Sequence, residues 1–188
     1  RKRGFLPEKI VRYCYRPFDV RWLYWEPETK LLDRNRSEYF PHVGEGNVWL
    51  SAGQRNRKED FYQPQFTHLL ADHHIVESNV GMFPLYLLRT DETATLLEKA
   101  GRKQNLSERA VSYLADIDTS SEDFFYHTVA VLHAPAYRAE NAGALRQDWP
   151  RIPLPKAKDF LFASSALGRQ VAALLDTEAP VLGVTTGN

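Results

Sequence analysis

Residues 54–58 read Gln54-Arg55-Asn56-Arg57-Lys58, five polar side chains with the groups needed to read base-pair edges. A guanidinium pairs bidentately with O6 and N7 of guanine, and an Asn or Gln amide pairs with N6 and N7 of adenine. In an extended segment alternate residues share a face, so Arg55 and Arg57 could enter one groove together. Lys58 suits a phosphate better than a base. Gln63, Gln65 and His68 continue the supply of polar groups. The competing reading is an ordinary solvated hairpin loop.

A second group is Arg16-Pro17-Phe18-Asp19-Val20-Arg21-Trp22. Arg16 and Arg21 could anchor phosphates through guanidinium forks. The same residues also suit an internal Arg–Asp pair that fixes a turn, with Phe18 and Trp22 in the core. That internal role is the preferred one for Asp19 and Phe18, and Arg21 is open to either. Arg151, held between Pro150 and Pro153, could contact a phosphate or cap a helix C-terminus. Tyr126, His133 and Tyr137 are spaced to share one side of a helical stretch, where packing between helices is the preferred role.

Catalytic signatures are missing from the sequence. There is no glycine-rich phosphate loop ending in Lys-Ser/Thr. There is no Asn/Asp-Pro-Pro-aromatic run to hold a target amine, and no glycine-rich turn after a strand for a methyl donor. Asp19, Glu59, Asp60, Asp72 and Glu77 show no spacing that selects a pair for hydrolysis. Asp72-His73-His74 with His68 invites a zinc reading. If residues 74–77 form a strand, however, His73 and His74 point to opposite faces and cannot share an ion. No catalytic residue, metal or cofactor is therefore assigned to this chain.

These groups need elements to hold them. Ile10–Tyr15 and Val20–Trp25 read as strands stopped by Pro17 and Pro27. Asp33–Ser37 could open a short helix. Val48–Ser51, Phe66–Leu70, His74–Glu77 and Phe83–Leu88 read as further strands, punctuated by Gly44, Gly46, Gly53 and Gly81. From about residue 105 the pattern is helical. Asn105 with Glu108, and Thr119 with Glu122, match capping boxes, and Pro135 can open a helix. Phe160, Ala163, Leu167, Val171 and Leu174 form an apolar stripe on a last long helix. The expected fold is α+β: a twisted mixed β-sheet followed by a helical C-terminal half. The expected parts are a lead-in segment over 1–36, a β-rich recognition part over 37–97 and a helical part over 98–188, together one compact domain.

With 188 residues and 43% apolar composition, the chain can build one core. Its 24 basic and 24 acidic residues balance, which argues against a broad nucleic-acid surface. Residues 1–36 nonetheless carry ten basic groups against five acidic ones, so a local stripe is available to phosphates. The single cysteine, Cys14, excludes an internal disulfide and fits a reducing, cytoplasmic setting. No apolar run approaches the roughly 20 residues of a membrane helix, so no membrane partner is expected. The chain starts on Arg1 and ends on Thr186-Gly187-Asn188, which reads as a fragment of a longer protein.

Several runs occur in a distinctive order. They are Arg16-Pro17-Phe18-Asp19-Val20-Arg21, an aromatic helix leading to Leu132-His133-Ala134-Pro135-Ala136-Tyr137-Arg138, Pro150-Arg151-Ile152-Pro153, and Pro180-Val181-Leu182-Gly183-Val184-Thr185. In this order they resemble the C-terminal specificity region of type ISP restriction–modification enzymes, large single-chain DNA methyltransferase, translocase and nuclease proteins of phage defence. The resemblance spans almost the whole chain. It implies a target recognition domain that binds double-stranded DNA beside an N6-adenine methyltransferase domain of the same polypeptide. S-adenosylmethionine, ATP and Mg would then belong to the rest of that parent. Motif residues shared by members with different targets suit scaffold or phosphate roles, so the base readers are expected between the motifs, in residues 43–80. Arg55 and Arg57 are the expected readers, with Gln54 and Asn56 next. Arg16, Arg21, Lys58 and Arg151 are the expected phosphate contacts. Two rivals are an interaction module bracing the methyltransferase against a motor domain, and a hydrolase using an unrecognised carboxylate cluster.

Overall fold

The computed structural model describes residues 4–29, 31–32, 37–55, 62–77, 80–88 and 101–178. Its centre is strand β3 (Trp49–Ala52), all four of whose residues are buried. Successive side chains of a strand point to opposite faces. Trp49 accordingly packs with Cys14, Ala71, Ile75, Val80 and Met82 on one side. Leu50 packs with Val129 and Leu132 on the other. Both faces are covered, so the run is apolar or small throughout rather than alternating.

Three small antiparallel sheets make up the β half. Strands β1 (Ile10–Arg16) and β2 (Asp19–Tyr24) form a hairpin. Strand β3 lies between β4 (Phe66–Thr67) and β5 (Gly81–Pro84). Strands β6 (Tyr86–Leu88) and β7 (Arg102–Gln104) form the third pair. A parallel bridge between Cys14 and Ala71 ties the first hairpin to the segment after β4. The helical half contains α1 (Glu108–Asp116), α2 (Ser121–His133), α3 (Pro135–Leu145) and α4 (Lys158–Leu175). The α+β class and the helical C-terminal half agree with the sequence reading. Among the described residues the strands fall into small separate sheets because Gly, Pro and polar loops interrupt the apolar runs.

Asn47 acts as a buried clip beside β3. Its amide donates to the carbonyls of His42 and Tyr86, each at 2.8 Å. Its side-chain oxygen accepts from the backbone N–H groups of Val48 and Tyr86, at 3.1 and 3.0 Å. One side chain thus substitutes for the ladder that would otherwise join β6 to the lead-in of β3.

Helices α2 and α4 meet through small residues. The buried face of α4 is Leu161, Ser165, Gly168 and Ala172. A Cβ on Gly168 would lie 1.8 Å from the Tyr126 carbonyl oxygen, so only glycine permits this approach. The contact is pinned by Arg169, which donates to Glu122 at 2.7 Å and Asp123 at 3.1 Å and stacks 4.2 Å from the Tyr126 ring centroid.

Several local expectations are corrected. The apolar stripe expected to bury α4 is mostly exposed at Phe160, Ala163, Leu167 and Leu174. Around Gly168 size, rather than hydropathy, selects the buried face, because α2 comes too close there for large side chains. The helix caps are Ser107 and Ser120, which accept from the N–H groups of Ala110 and Asp123, rather than Asn105 and Thr119. Asn105 instead donates its amide to the Pro84 carbonyl. Residues 73–77 form turns and bends, not a strand. The run Phe83–Leu88 is split at Leu85, whose N–H turns to the Val48 carbonyl. Phe18 and Trp22, expected in the core, are 63% and 72% exposed. A two-stranded ribbon has too little surface to cover both its faces. The short helix expected at Asp33–Ser37 lies largely outside the described residues.

Three expected outcomes follow from this packing. Asn47→Ala leaves the buried Val48 N–H and the part-buried Tyr86 backbone groups without these partners and should cost about 3 kcal/mol in chemical denaturation. Gly168→Ala should also cost about 3 kcal/mol by forcing α2 and α4 apart. The third outcome concerns pH. Burial lowers the pKa of His127 and His133, outweighing their hydrogen bonds to the Pro153 and Pro64 carbonyls. The unfolded chain therefore takes up protons first, so stability should fall as the pH drops below about 6.5. His127→Gln and His133→Gln should flatten that slope in a series of thermal melts.

Candidate nucleic-acid interface

The tip of the first hairpin is built from a proline, a strained aromatic and two guanidiniums. Arg16 pairs with Asp19 across the two-residue turn Pro17-Phe18. Proline at the first central position with positive φ at the second matches a type II turn. Phe18 occupies that second position with φ 63°. The β1 register shifts between Cys14 and Arg16, which places Tyr15 at a bulge. Bulges re-aim side chains. Here the guanidinium carbons of Arg16 and Arg21 each lie 4.1 Å from the Tyr15 ring centroid.

The two arginines are held differently. Arg21 grips Asp19 in a fork, Nε to Oδ1 at 3.0 Å and Nη2 to Oδ2 at 2.7 Å. That hydrogen-bonded pair holds the Asp19 carboxyl below its usual range and the Arg21 guanidinium above its own. The internal Arg–Asp pair is thus present, while half of the Arg21 side chain stays exposed. Arg16 donates Nη1 to the Tyr15 carbonyl at 2.7 Å and lies 3.6 Å from Asp72 Oδ1.

Asp72 joins this tip to the segment after β4. It accepts from the Tyr13 hydroxyl at 2.8 Å and from the His74 N–H at 2.7 Å. Burial pushes its carboxyl up, but these two hydrogen bonds and the charges of His73 and Arg16 outweigh burial and hold it low. The opposite-face argument against a shared metal is corrected here. The turn brings the His73 and His74 rings to 3.7 Å, and one candidate ligand atom from each of Asp72, His73 and His74 lies within 4.8 Å of the others. Both Asp72 oxygens are already engaged and a guanidinium stands beside them, which disfavours a cation. His68 lies elsewhere, against Asp176 Oδ2 at 3.2 Å.

The second candidate region is the loop leaving β3. Gln54 and Arg55 are exposed just past its last residue. Asn56, Arg57 and Lys58 lie outside the described residues. The loop returns through Pro64 and Gln65, and its base is closed by three hydrogen bonds. Ser51 N–H donates to the Gln65 carbonyl at 2.9 Å, and Gln65 N–H donates to the Ser51 hydroxyl at 2.8 Å. His133 Nε2 donates to the Pro64 carbonyl at 2.9 Å. His133 ends α2, so the helical half fixes where the loop re-enters the sheet.

Arg151 is exposed in the extended Pro150–Pro155 run, and its carbonyl accepts from the Tyr137 hydroxyl at 2.9 Å. Among the described residues its guanidinium caps no helix. Tyr126, His133 and Tyr137 pack or brace, as their spacing suggests. The residues that sequence reasoning missed are Tyr15 and Asp72, which hold the two arginines. The Tyr-Arg dipeptide at Tyr15-Arg16 is a signal that could have pointed to Tyr15; nothing in the sequence links Asp72 to it, 56 positions away.

Among curated protein sequences none matches the chain. DrdV, solved by cryo-electron microscopy in a complex with DNA, aligns with a TM-score of 0.74 and 29% identity, over 93% of this chain and 16% of its own. A nuclease-deletion mutant of the Type ISP restriction-modification enzyme LlaGI, in complex with a DNA substrate mimic, aligns with a TM-score of 0.66 and 26% identity, over 93% of this chain and 14% of its own. The ATP-dependent Type ISP restriction-modification enzyme LlaBIII bound to DNA shares the fold, with a TM-score of 0.76 at 19% identity, over 98% of this chain and 12% of its own. The chain thus spans less than one-fifth of the length of each of these proteins. The family model described as the Type ISP C-terminal specificity domain matches residues 1–183, and the chain belongs to that family.

Proposed function

We propose that this domain reads the sequence of duplex DNA on behalf of a restriction–modification enzyme that methylates adenine at N6. The observation that carries the reading is the family match over residues 1–183, next to solved relatives in complexes with DNA. The geometry supports it. A loop rich in Arg, Asn and Gln leaves a strand buried on both faces, and its first polar residues, Gln54 and Arg55, are exposed. Arg55 and Arg57 are the proposed base readers, with Gln54 and Asn56 beside them. Arg16, Arg21, Lys58 and Arg151 are the proposed phosphate contacts. The domain does no chemistry in this reading. S-adenosylmethionine, ATP and Mg belong to the rest of the parent polypeptide, and the methyltransferase part of that polypeptide is the second partner. The exposed stripe Phe160, Leu167 and Leu174 on α4 is the apolar surface such a neighbour would cover. Among the described residues no helix is long and apolar enough to cross a membrane.

Methylation-site mapping of the parent tests the loop assignment. Arg55→Ala with Arg57→Ala should relax the target at the positions they read, at a cost of about 1–3 kcal/mol for each bidentate contact. An unchanged target at normal activity would sink the assignment. Arg151→Ala should weaken binding to all sequences alike and lower the slope of log affinity against log salt by about 0.9. A sequence-dependent loss would move Arg151 from phosphate to base.

A further inference from the structure

We infer that Phe18 is an aromatic wedge that the first hairpin presses against a base step of the bound duplex; the inference rests on the DNA-reading function proposed above. Three observations lead there. First, a bulky residue with φ 63° is strained, and glycine or asparagine would form the same turn at less cost. Second, the ring is 63% exposed, and among the described residues it belongs to no buried cluster that would offset the strain. Third, the tip is braced from both sides. Pro17 restricts the backbone, the Arg21–Asp19 fork closes β2, and Arg16 holds the Tyr15 carbonyl. A strained, exposed and rigidly held aromatic points to a role outside the domain.

The surroundings select the kind of partner. An apolar pocket on another protein would favour apolar neighbours for Phe18. The rest of the hairpin tip is instead polar: two partly exposed guanidiniums stacked on Tyr15, one of them paired with the Asp19 carboxylate. An exposed ring at a turn whose two strands carry the cations Arg16 and Arg21 suits a base step, which offers a π-face between two phosphates. Apolar wedges at base steps partly unstack them, and an unstacked step is easier to open when a base must leave the helix. Phe18 therefore supplies contact that does not depend on base identity, in addition to the base readout proposed for residues 54–57.

The test uses the parent enzyme and a short duplex selected by the wild-type protein from a pool with a randomised centre. Phe18→Gly suits the positive φ, so it should leave the melting temperature unchanged or raise it. It should weaken duplex binding by about tenfold, with the salt dependence unchanged because no charge is lost. Phe18→Trp should retain binding. With 2-aminopurine placed step by step along the duplex, one position should brighten on binding wild type and not on binding Phe18→Gly. Equal affinity and equal brightening for wild type and Phe18→Gly would overturn the wedge while leaving the DNA-reading function intact. Unchanged DNA affinity with a lowered melting temperature of the parent would overturn it in favour of a contact with a neighbouring domain. If the wild-type parent selects no duplex at all, the DNA-reading function itself fails.

Discussion

Everything else in this domain depends on β3 being covered on both faces. Trp49 and Leu50 commit adjacent residues to two different cores, one made with the first hairpin and one made with α2. A strand held in this way cannot slip by one residue without exchanging the two cores. It therefore provides a fixed stem for the loop that leaves at Gly53. The first hairpin and the helical half both pack on this strand. The His133–Pro64 hydrogen bond repeats the same logic at the loop's other end.

The polar groups divide into those that hold the fold and those left for a ligand. Asn47, His127 and Arg169 spend their hydrogen bonds inside, joining segments distant in sequence. Arg55 and Arg151 face solvent. Arg16 and Arg21 stand between these classes: each is oriented by an internal carbonyl or carboxylate and stacked on Tyr15, yet each stays partly exposed. Guanidiniums oriented in advance lose less freedom when they meet a phosphate. This reconciles the two roles that the sequence left open for Arg21, since the internal pair is what aims the group.

The balanced net charge has the same explanation. Several acidic groups near the hairpin and the helices serve as partners for arginines, as Asp19, Asp72, Glu122 and Glu178 do. Local orientation of a few cations then takes the place of a broad basic surface. A reader of base edges needs such placement more than it needs overall charge.

The sequence by itself determined the class of the fold, the first hairpin, the positions of β3 and of the long helices, the opening of α3 at Pro135, and the family. Those features are local: prolines stop strands, helical spacing is periodic, and ordered motifs survive in one dimension. It missed the exposure of Phe18 and Trp22, the true caps and the buried face of α4. Hydropathy alone would bury Phe160 and Leu167, whereas the approach of α2 demands Gly168 and its small neighbours. Only tertiary structure decided that Tyr15 and Asp72 hold the candidate arginines, because those contacts depend on a bulge and on a segment more than fifty residues away. The loop at residues 54–58 was legible as chemistry in the sequence. What aims it was not, because Ser51, Gln65 and His133 converge only once both cores have formed.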